Sequence, residues 1–171
     1  IKLCGFYESQ LEYVDMPLLE EIDSHAFSYN KFTRAFFPNL VKVTGLCHFV
    51  NCPNLLFFKA PKMENFSDLF FFDSKKLETV IAPNAILKYR TFFHCKNLQN
   101  VLAVGDFDCN CDQCPKCLNT FDQCVERGLK MPVGEKLNEQ IHHNVKHRKK
   151  LICHTLLDKK LKNSIHELLE S

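Results

Sequence analysis

Tryptophan is absent from the 171-residue chain, and glycine occurs only five times. So few glycines argue against a glycine-rich loop that cradles phosphates. No apolar run reaches the roughly 18 residues that a membrane-spanning helix needs, and no basic segment leads an apolar one in the manner of a secretory signal peptide. An excess of charge is also missing. The formal net charge is +2, too small to point to nucleic acid, so no nucleic-acid partner is expected. Three catalytic signatures are lacking as well: the phosphate-binding loop, the Gly-x-Ser-x-Gly elbow and the His-Glu-x-x-His zinc-protease motif. The chain is therefore read as non-enzymatic.

What is present is an ordinary globular balance, 46% hydrophobic and 25% charged. Within it stand 16 phenylalanines, residues with no polar tip that belong in a dry core or on a greasy surface. The strongest pattern is a repeat. An apolar residue is followed by a small or apolar one three positions on, another at five, and proline at six. The copies are Leu11, Val14, Met16, Pro17; Phe32, Ala35, Phe37, Pro38; Leu55, Phe58, Ala60, Pro61; and Leu77, Val80, Ala82, Pro83. A fifth, Leu98, Val101, Ala103, has Val104 in place of proline. Successive starts lie 21, 23, 22 and 21 residues apart.

Each proline is expected to end a short strand, because it cannot donate a ladder hydrogen bond. Apolar residues follow at two and five (Leu19 and Ile22, Leu40 and Val43, Met63 and Phe66), then an aromatic: Phe27, Phe49, Phe72 and Phe92. Three residues after each aromatic stands Asn30, Cys52, Lys75 or Cys95, in a position suited to a tight buried turn. The fourth unit slips. Its apolar offsets fall on Ala85 and Lys88, leaving Ile86, Leu87 or Tyr89 to serve instead. A period near 22 means coils stacked one on the next, each burying its apolar residues against its neighbour.

The pattern resembles the BspA-like subclass of leucine-rich repeats, whose unit reads Leu-x-x-Ile-x-Leu-Pro-x-x-Leu-x-x-Ile-x-x-x-Ala-Phe-x-x-Cys-x-x-Leu. Leu11 to Phe32 matches it, Ala26 and Phe27 included, as does Phe37-Pro38-Asn39-Leu40 through Phe49-Val50-Asn51-Cys52-Pro53-Asn54-Leu55. The resemblance covers about residues 4–108. It implies an α/β-class leucine-rich-repeat solenoid of short parallel strands, curved, with a non-catalytic binding role. The expected organisation is repeats over 1–108, a cysteine-rich cap or linker over 109–134 and an amphipathic helical tail over 135–171. Phe6 to Gln10 looks like the end of an earlier unit, so the natural protein is expected to extend upstream.

Side chains alternate faces along a strand. If offsets three and five point inward, offsets two and four point outward. That outward set is Tyr13 and Asp15, Arg34 and Phe36, Phe57 and Lys59, Thr79 and Ile81, Asn100 and Leu102. Phe36, Phe57, Ile81 and Leu102 give it an apolar run of the kind that marks a protein partner's site. The competing expectation is that another part of the chain, such as a C-terminal helix, covers the face.

Beyond Val104 the repeat stops, and Cys109-Asn-Cys111-Asp-Gln-Cys114-Pro-Lys-Cys117 comes next, with Cys124 beyond. Three readings stand open. Cys114 and Cys117 have the spacing that brings two thiolates to one tetrahedral zinc, and His143 and His147, four apart on an expected helix, offer two imidazoles from one face. A four-thiolate site from the cluster alone is the variant of this reading. The second is a disulfide-bonded cap, similar over a few residues to the caps of extracellular leucine-rich repeats. The third is free thiols with neither bond nor metal.

Residues 135–171 lack glycine and proline. Leu137, Ile141, Val145, Ile152, Leu156, Leu161, Ile165, Leu168 and Leu169 recur at amphipathic helical spacings. The functional expectation is a protein-interaction scaffold in the cytoplasm, without a cofactor beyond a structural zinc. The alternatives are a secreted or cell-surface adhesion protein with an oxidised cap, and a zinc-dependent adaptor acting through its tail. One glycosylation sequence, Asn65-Phe66-Ser67, gives the adhesion reading little support.

Overall fold

The computed structural model describes residues 1–131. Short segments wind into a parallel solenoid of about four turns, closed by one helix. The strands are β1 (Glu21–Ile22), β2 (Arg34–Phe36), β3 (Lys42–Val43), β4 (Phe57–Lys59), β5 (Thr79–Ile86) and β6 (Asn100–Val104); the helix is α1 (Phe121–Leu129). The main sheet runs β2-β4-β5-β6, all parallel. A second ladder, β1-β3, lies further along each coil.

The register of the main sheet repeats the sequence period. Ala35, Phe58, Val80 and Val101 face one another across successive strands and are all fully buried. Their neighbours form two other rows, Arg34–Phe57–Thr79–Asn100 and Phe36–Lys59–Ile81–Leu102. Period-2 alternation thus puts offset three in the core and offsets two and four on the opposite face.

Phenylalanine fills the core. Phe27, Phe32, Phe37, Phe49, Phe58, Phe66, Phe70, Phe71 and Phe92 are all essentially fully buried. Phe27 stacks on Phe6 and on Phe49, with ring centroids 5.6 and 5.2 Å apart, and Phe71 stacks on Phe92 at 5.7 Å. Phe49 joins the two groups at 5.9 Å from Phe71. Such contacts contribute about 0.5–1.5 kcal/mol each beyond the burial of their area.

The aromatic row corrects the expected third unit. Phe71, not Phe72, occupies the stack, and Ser74, not Lys75, occupies the turn position after it. Ser74 is buried while Lys75 is exposed and pairs with Asp73 at 3.2 Å. With that shift the turn residues run Asn30, Cys52, Ser74, Cys95, and each donates to a carbonyl of the preceding coil. In the fourth unit Ala85 and Leu87 turn inward, while Ile86 and Tyr89 are 46% and 47% exposed. Pro83 does not end its strand either. β5 continues to Ile86 through an irregularity, and Ile86 then pairs with Val104 and bridges to Asn65, which extends the second ladder.

The scarcity of glycine has a structural counterpart. Each coil turns through two left-handed residues that bracket the aromatic. His25, Cys47, Leu69 and Arg90 have φ of 52 to 61°, and Tyr29, Asn51, Asp73 and His94 have φ of 47 to 62°. A left-handed non-glycine residue costs about 1–2 kcal/mol. Here the conformation aligns backbone donors with the next coil: Phe27, Phe49 and Phe71 N–H donate to the carbonyls of His48, Phe70 and Thr91 at 2.8 to 3.0 Å.

The segment after the repeats is not a plain loop. Helix α1 lies across β6, with Phe121 and Cys124 in the core. Cys124 Sγ donates to the Leu98 carbonyl at 3.3 Å and Arg127 Nε to the Gln99 carbonyl at 2.9 Å. A Cβ on the buried Gly128 would collide with the Val101 carbonyl, so glycine lets the helix approach the strand. The expected helices of 135–171, with His143 and His147, lie outside the described residues.

Candidate functional site

Two features of the described residues carry chemistry: the outward strand face and the cysteine knot at its C-terminal end. The face divides along its length. Tyr13 is 75% exposed and Phe36 47%; Asp15 and Arg34 are exposed, and Phe57 and Lys59 are half-buried. The Arg34 guanidinium lies 5.4 Å from the Phe57 ring centroid, and the Lys59 ammonium 5.4 Å from that of Phe36. Both are directly opposed cross-strand pairs. Each contact is worth about 0.5–1 kcal/mol at an exposed site and favours the observed placement of the side chains. A shallow groove beside them is lined by Glu12, Tyr13, Val14, Asp15, Thr33, Arg34 and Phe36.

The other end is closed. Thr79, Ile81 and Leu102 are buried, although they project from the same face. Leu129 at the end of α1 and Met131 after it pack on Ile81 and Leu102, with Phe57 at the margin. Asn100 is half-buried and donates to Thr79 Oγ1 at 3.0 Å. The apolar run expected to be open along the whole face is therefore open from Tyr13 to Lys59 and roofed beyond. The cover comes from residues 121–131, upstream of the tail expected to supply helices.

The knot is built by residues 109–117. The sulfurs of Cys109, Cys111, Cys114 and Cys117 all lie within 4.8 Å of one another, close enough to hold one metal ion. Cys114 Sγ is 3.7 Å and Cys111 Sγ 3.9 Å from Cys117 Sγ. Cys111 and Cys114 are buried, Cys109 and Cys117 half-buried. Spacing in the sequence singles out Cys114 and Cys117. It does not bring in Cys109 and Cys111 as their fixed partners; in the structure the chain bends at Asp112, φ 58°, between the two pairs. The repeated alternation of cysteine over 109–117 is the signal available in the sequence.

The cluster favours thiolate at one position. Burial opposes ionisation of Cys111, but N–H groups of His94, Gln113 and Cys114, with Cys109, outweigh it and bring the thiol down to about 6. The backbone N–H groups of His94 and Cys114 each donate to Cys111 Sγ at 3.4 Å. Burial pushes Cys109 up to about 11 and Cys114 well above the ordinary thiol range. By contrast, Cys52 and Cys95 are core donors: burial pushes Cys52 up to about 12 and Cys95 well up.

The knot is fastened to the last coil. Arg90 N–H donates to the Asp108 carbonyl at 2.9 Å and Arg90 Nη2 to Asn110 Oδ1 at 2.6 Å. Phe107 packs edge-on to Phe92 and Phe121 at 5.4 and 5.0 Å, and Lys116 pairs with Asp106. No helix among the described residues is long and apolar enough to cross a membrane.

Comparison with known families matches residues 1–101 to a profile described as BspA type leucine rich repeat region, in 6 copies. No curated protein and no solved structure matches the chain.

Proposed function

Because the chain belongs to the BspA-type leucine-rich repeat family, we propose that it is a non-enzymatic scaffold that binds a protein partner through the open part of its strand face. Repeats of this kind commonly mediate protein interaction, and stacked coils offer an extended surface without needing a catalytic group. The observation that carries the reading is the ordered pair of cation–aromatic contacts, Arg34 on Phe57 and Lys59 on Phe36, beside the exposed Tyr13. Aromatic and arginine side chains that are already held in position lose little freedom on binding, and they are the types that dominate interface energies. Asp15 borders this patch; Thr79, Ile81, Asn100 and Leu102 sit at its covered end and are assigned to the cap contact instead.

In the same reading the four thiols are a structural site for a metal ion and not a reactive centre. The chain then belongs in a reducing compartment, the cytoplasm. The test is affinity capture with the wild-type chain and with an Arg34→Ala/Phe36→Ala variant, followed by titration of each purified candidate. The expected result is a partner whose binding falls at least tenfold in the variant while the circular dichroism spectrum and melting are kept. A partner that binds both chains equally overturns the assignment of the face. Two disulfides among Cys109, Cys111, Cys114 and Cys117 in the natural protein would overturn the compartment and favour the adhesion reading.

A further inference from the structure

We infer that the ion of the cysteine knot is a single zinc held by all four thiolates, in a closed site that clasps helix α1 over the C-terminal half of the strand face. The inference rests on the structural reading of the thiols given above and names its ligand set, its metal and its mechanical consequence.

The sulfur geometry suits one tetrahedral ion. Zinc binds thiolate at about 2.3 Å, so the edges of its sulfur tetrahedron measure about 3.8 Å. Two of the sulfur pairs, Cys114–Cys117 and Cys111–Cys117, stand at 3.7 and 3.9 Å. With every pair within 4.8 Å, the widest edge has to close by no more than about 1 Å to reach that tetrahedron. A disulfide would hold its own two sulfurs at about 2 Å, and all four cysteines are free. A cluster of several irons would need its four sulfurs spread more widely around it. Four thiolates fill the tetrahedron, which leaves no open position for water or substrate, as in structural zinc sites. His143 and His147 are then not needed as ligands.

The shell around the sulfurs points the same way. Two backbone N–H groups, from His94 and Cys114, point at Cys111 Sγ. Donors of this kind offset the negative charge that four thiolates place on one divalent ion. One of them comes from the last coil, so the site joins the solenoid to the cap.

The chain leaving the knot carries the mechanical consequence. Leu118 N–H donates to the Cys114 carbonyl at 3.1 Å and Thr120 N–H to the Pro115 carbonyl at 2.8 Å. Phe121, the first residue of α1, comes next. The helix therefore departs from the metal loop through one tight turn, and its far end delivers Leu129 and Met131 onto Ile81 and Leu102. An ion that fixes the loop fixes the direction in which the helix starts.

The experiment uses the full chain purified without added metal. Metal content by mass spectrometry is expected to give one zinc per chain, and cobalt exchange to give the absorption of a tetrahedral all-sulfur site. His143→Ala/His147→Ala should leave both unchanged, whereas Cys109→Ser and Cys117→Ser should each lose the ion or at least tenfold in affinity. A cobalt spectrum of mixed sulfur and nitrogen ligation overturns the ligand set but leaves a structural metal standing. Iron in place of zinc overturns the metal. An absence of any metal overturns the inference together with the structural reading of the thiols. For the clasp, stripping the ion with a chelator should raise amide exchange at least tenfold over 121–131, 79–81 and 100–102, with 27–71 still protected. Unchanged exchange there overturns the clasp, independently of any cysteine variant that fails to fold.

Discussion

Ser74 Oγ donates to the carbonyl of Phe49 at 2.7 Å, across one full coil of the solenoid. The same bond recurs as Cys52 Sγ to Phe27 at 3.4 Å, Cys95 Sγ to Phe71 at 3.2 Å and Asn30 Nδ2 to Phe6 at 2.7 Å. Three chemically different side chains share one task, a hydrogen bond to the carbonyl of the phenylalanine in the preceding coil.

Ser74→Ala should therefore destabilise the chain by about 1–3 kcal/mol, the cost of a buried polar group left unpaired. Ser74→Cys should lose less than half as much, because a thiol can take the same place. Urea unfolding of the three chains measures both, and equal stability for Ser74→Ala and the wild type would mean that the carbonyl needs no such donor.

Phe36 and Phe58 stand on adjacent strands with opposite roles. Phe58→Ala empties a fully buried site and should cost about 3–5 kcal/mol. Phe36→Ala removes a ring that is 47% exposed and should cost well under 1 kcal/mol of stability. Thermal melts rank the two, and comparable losses would put Phe36 in the core.

His48 makes the fold sensitive to mild acid. It is fully buried on Phe70, with Nδ1 2.9 Å from Ser67 Oγ and Nε2 2.7 Å from the Thr44 carbonyl. Burial brings it from 6.5 down to about 4, against the opposing pull of the Thr44 carbonyl and Asp23. The unfolded chain thus takes up a proton between those values that the folded chain refuses. The stability tied to neutral His48 is complete above pH 6.5 and is lost as pH falls through about 4, on the order of 3 kcal/mol in all. Denaturant midpoints from pH 7.5 to 4 should fall in the wild type and flatten over that window in His48→Gln. An equal slope in both would assign the effect elsewhere.

Gly128→Ala should weaken the roof over Ile81 and Leu102. Alanine favours a helix over glycine by about 1 kcal/mol, yet here its methyl group meets the Val101 backbone, which cannot move aside as a side chain would. A net loss of about 1–3 kcal/mol is expected from that overpacking. Faster amide exchange over 100–102 would locate the loss at the helix–strand contact, and a stabilised variant would contradict the close approach.

The repeat is legible because proline and apolar residues recur with it, from Leu11-Pro17 to Leu77-Pro83. The alternation of Ala35 inward against Arg34 and Phe36 outward follows from strand geometry alone. Legibility fails where two neighbours offer the same chemistry. Phe71 and Phe72 are interchangeable on paper, and the row of buried rings selects Phe71, and with it Ser74. Helix α1 leaves little trace in the sequence because its buried stripe, Phe121, Cys124 and Gly128, contains one conventional apolar residue.

The sequence by itself determined the class of this molecule, since each coil satisfies its own strand, turn and core requirement with residues about 22 positions apart. Tertiary structure decided where the face ends and which sulfurs meet. Leu129 and Met131 cover Ile81 and Leu102, and the bend over 112–114 lies between Cys109 and Cys111 and the Cys114 and Cys117 they meet. Neither obeys a period. Both depend on the path of a single chain segment after the repeat has stopped, and that path is set by what it packs against.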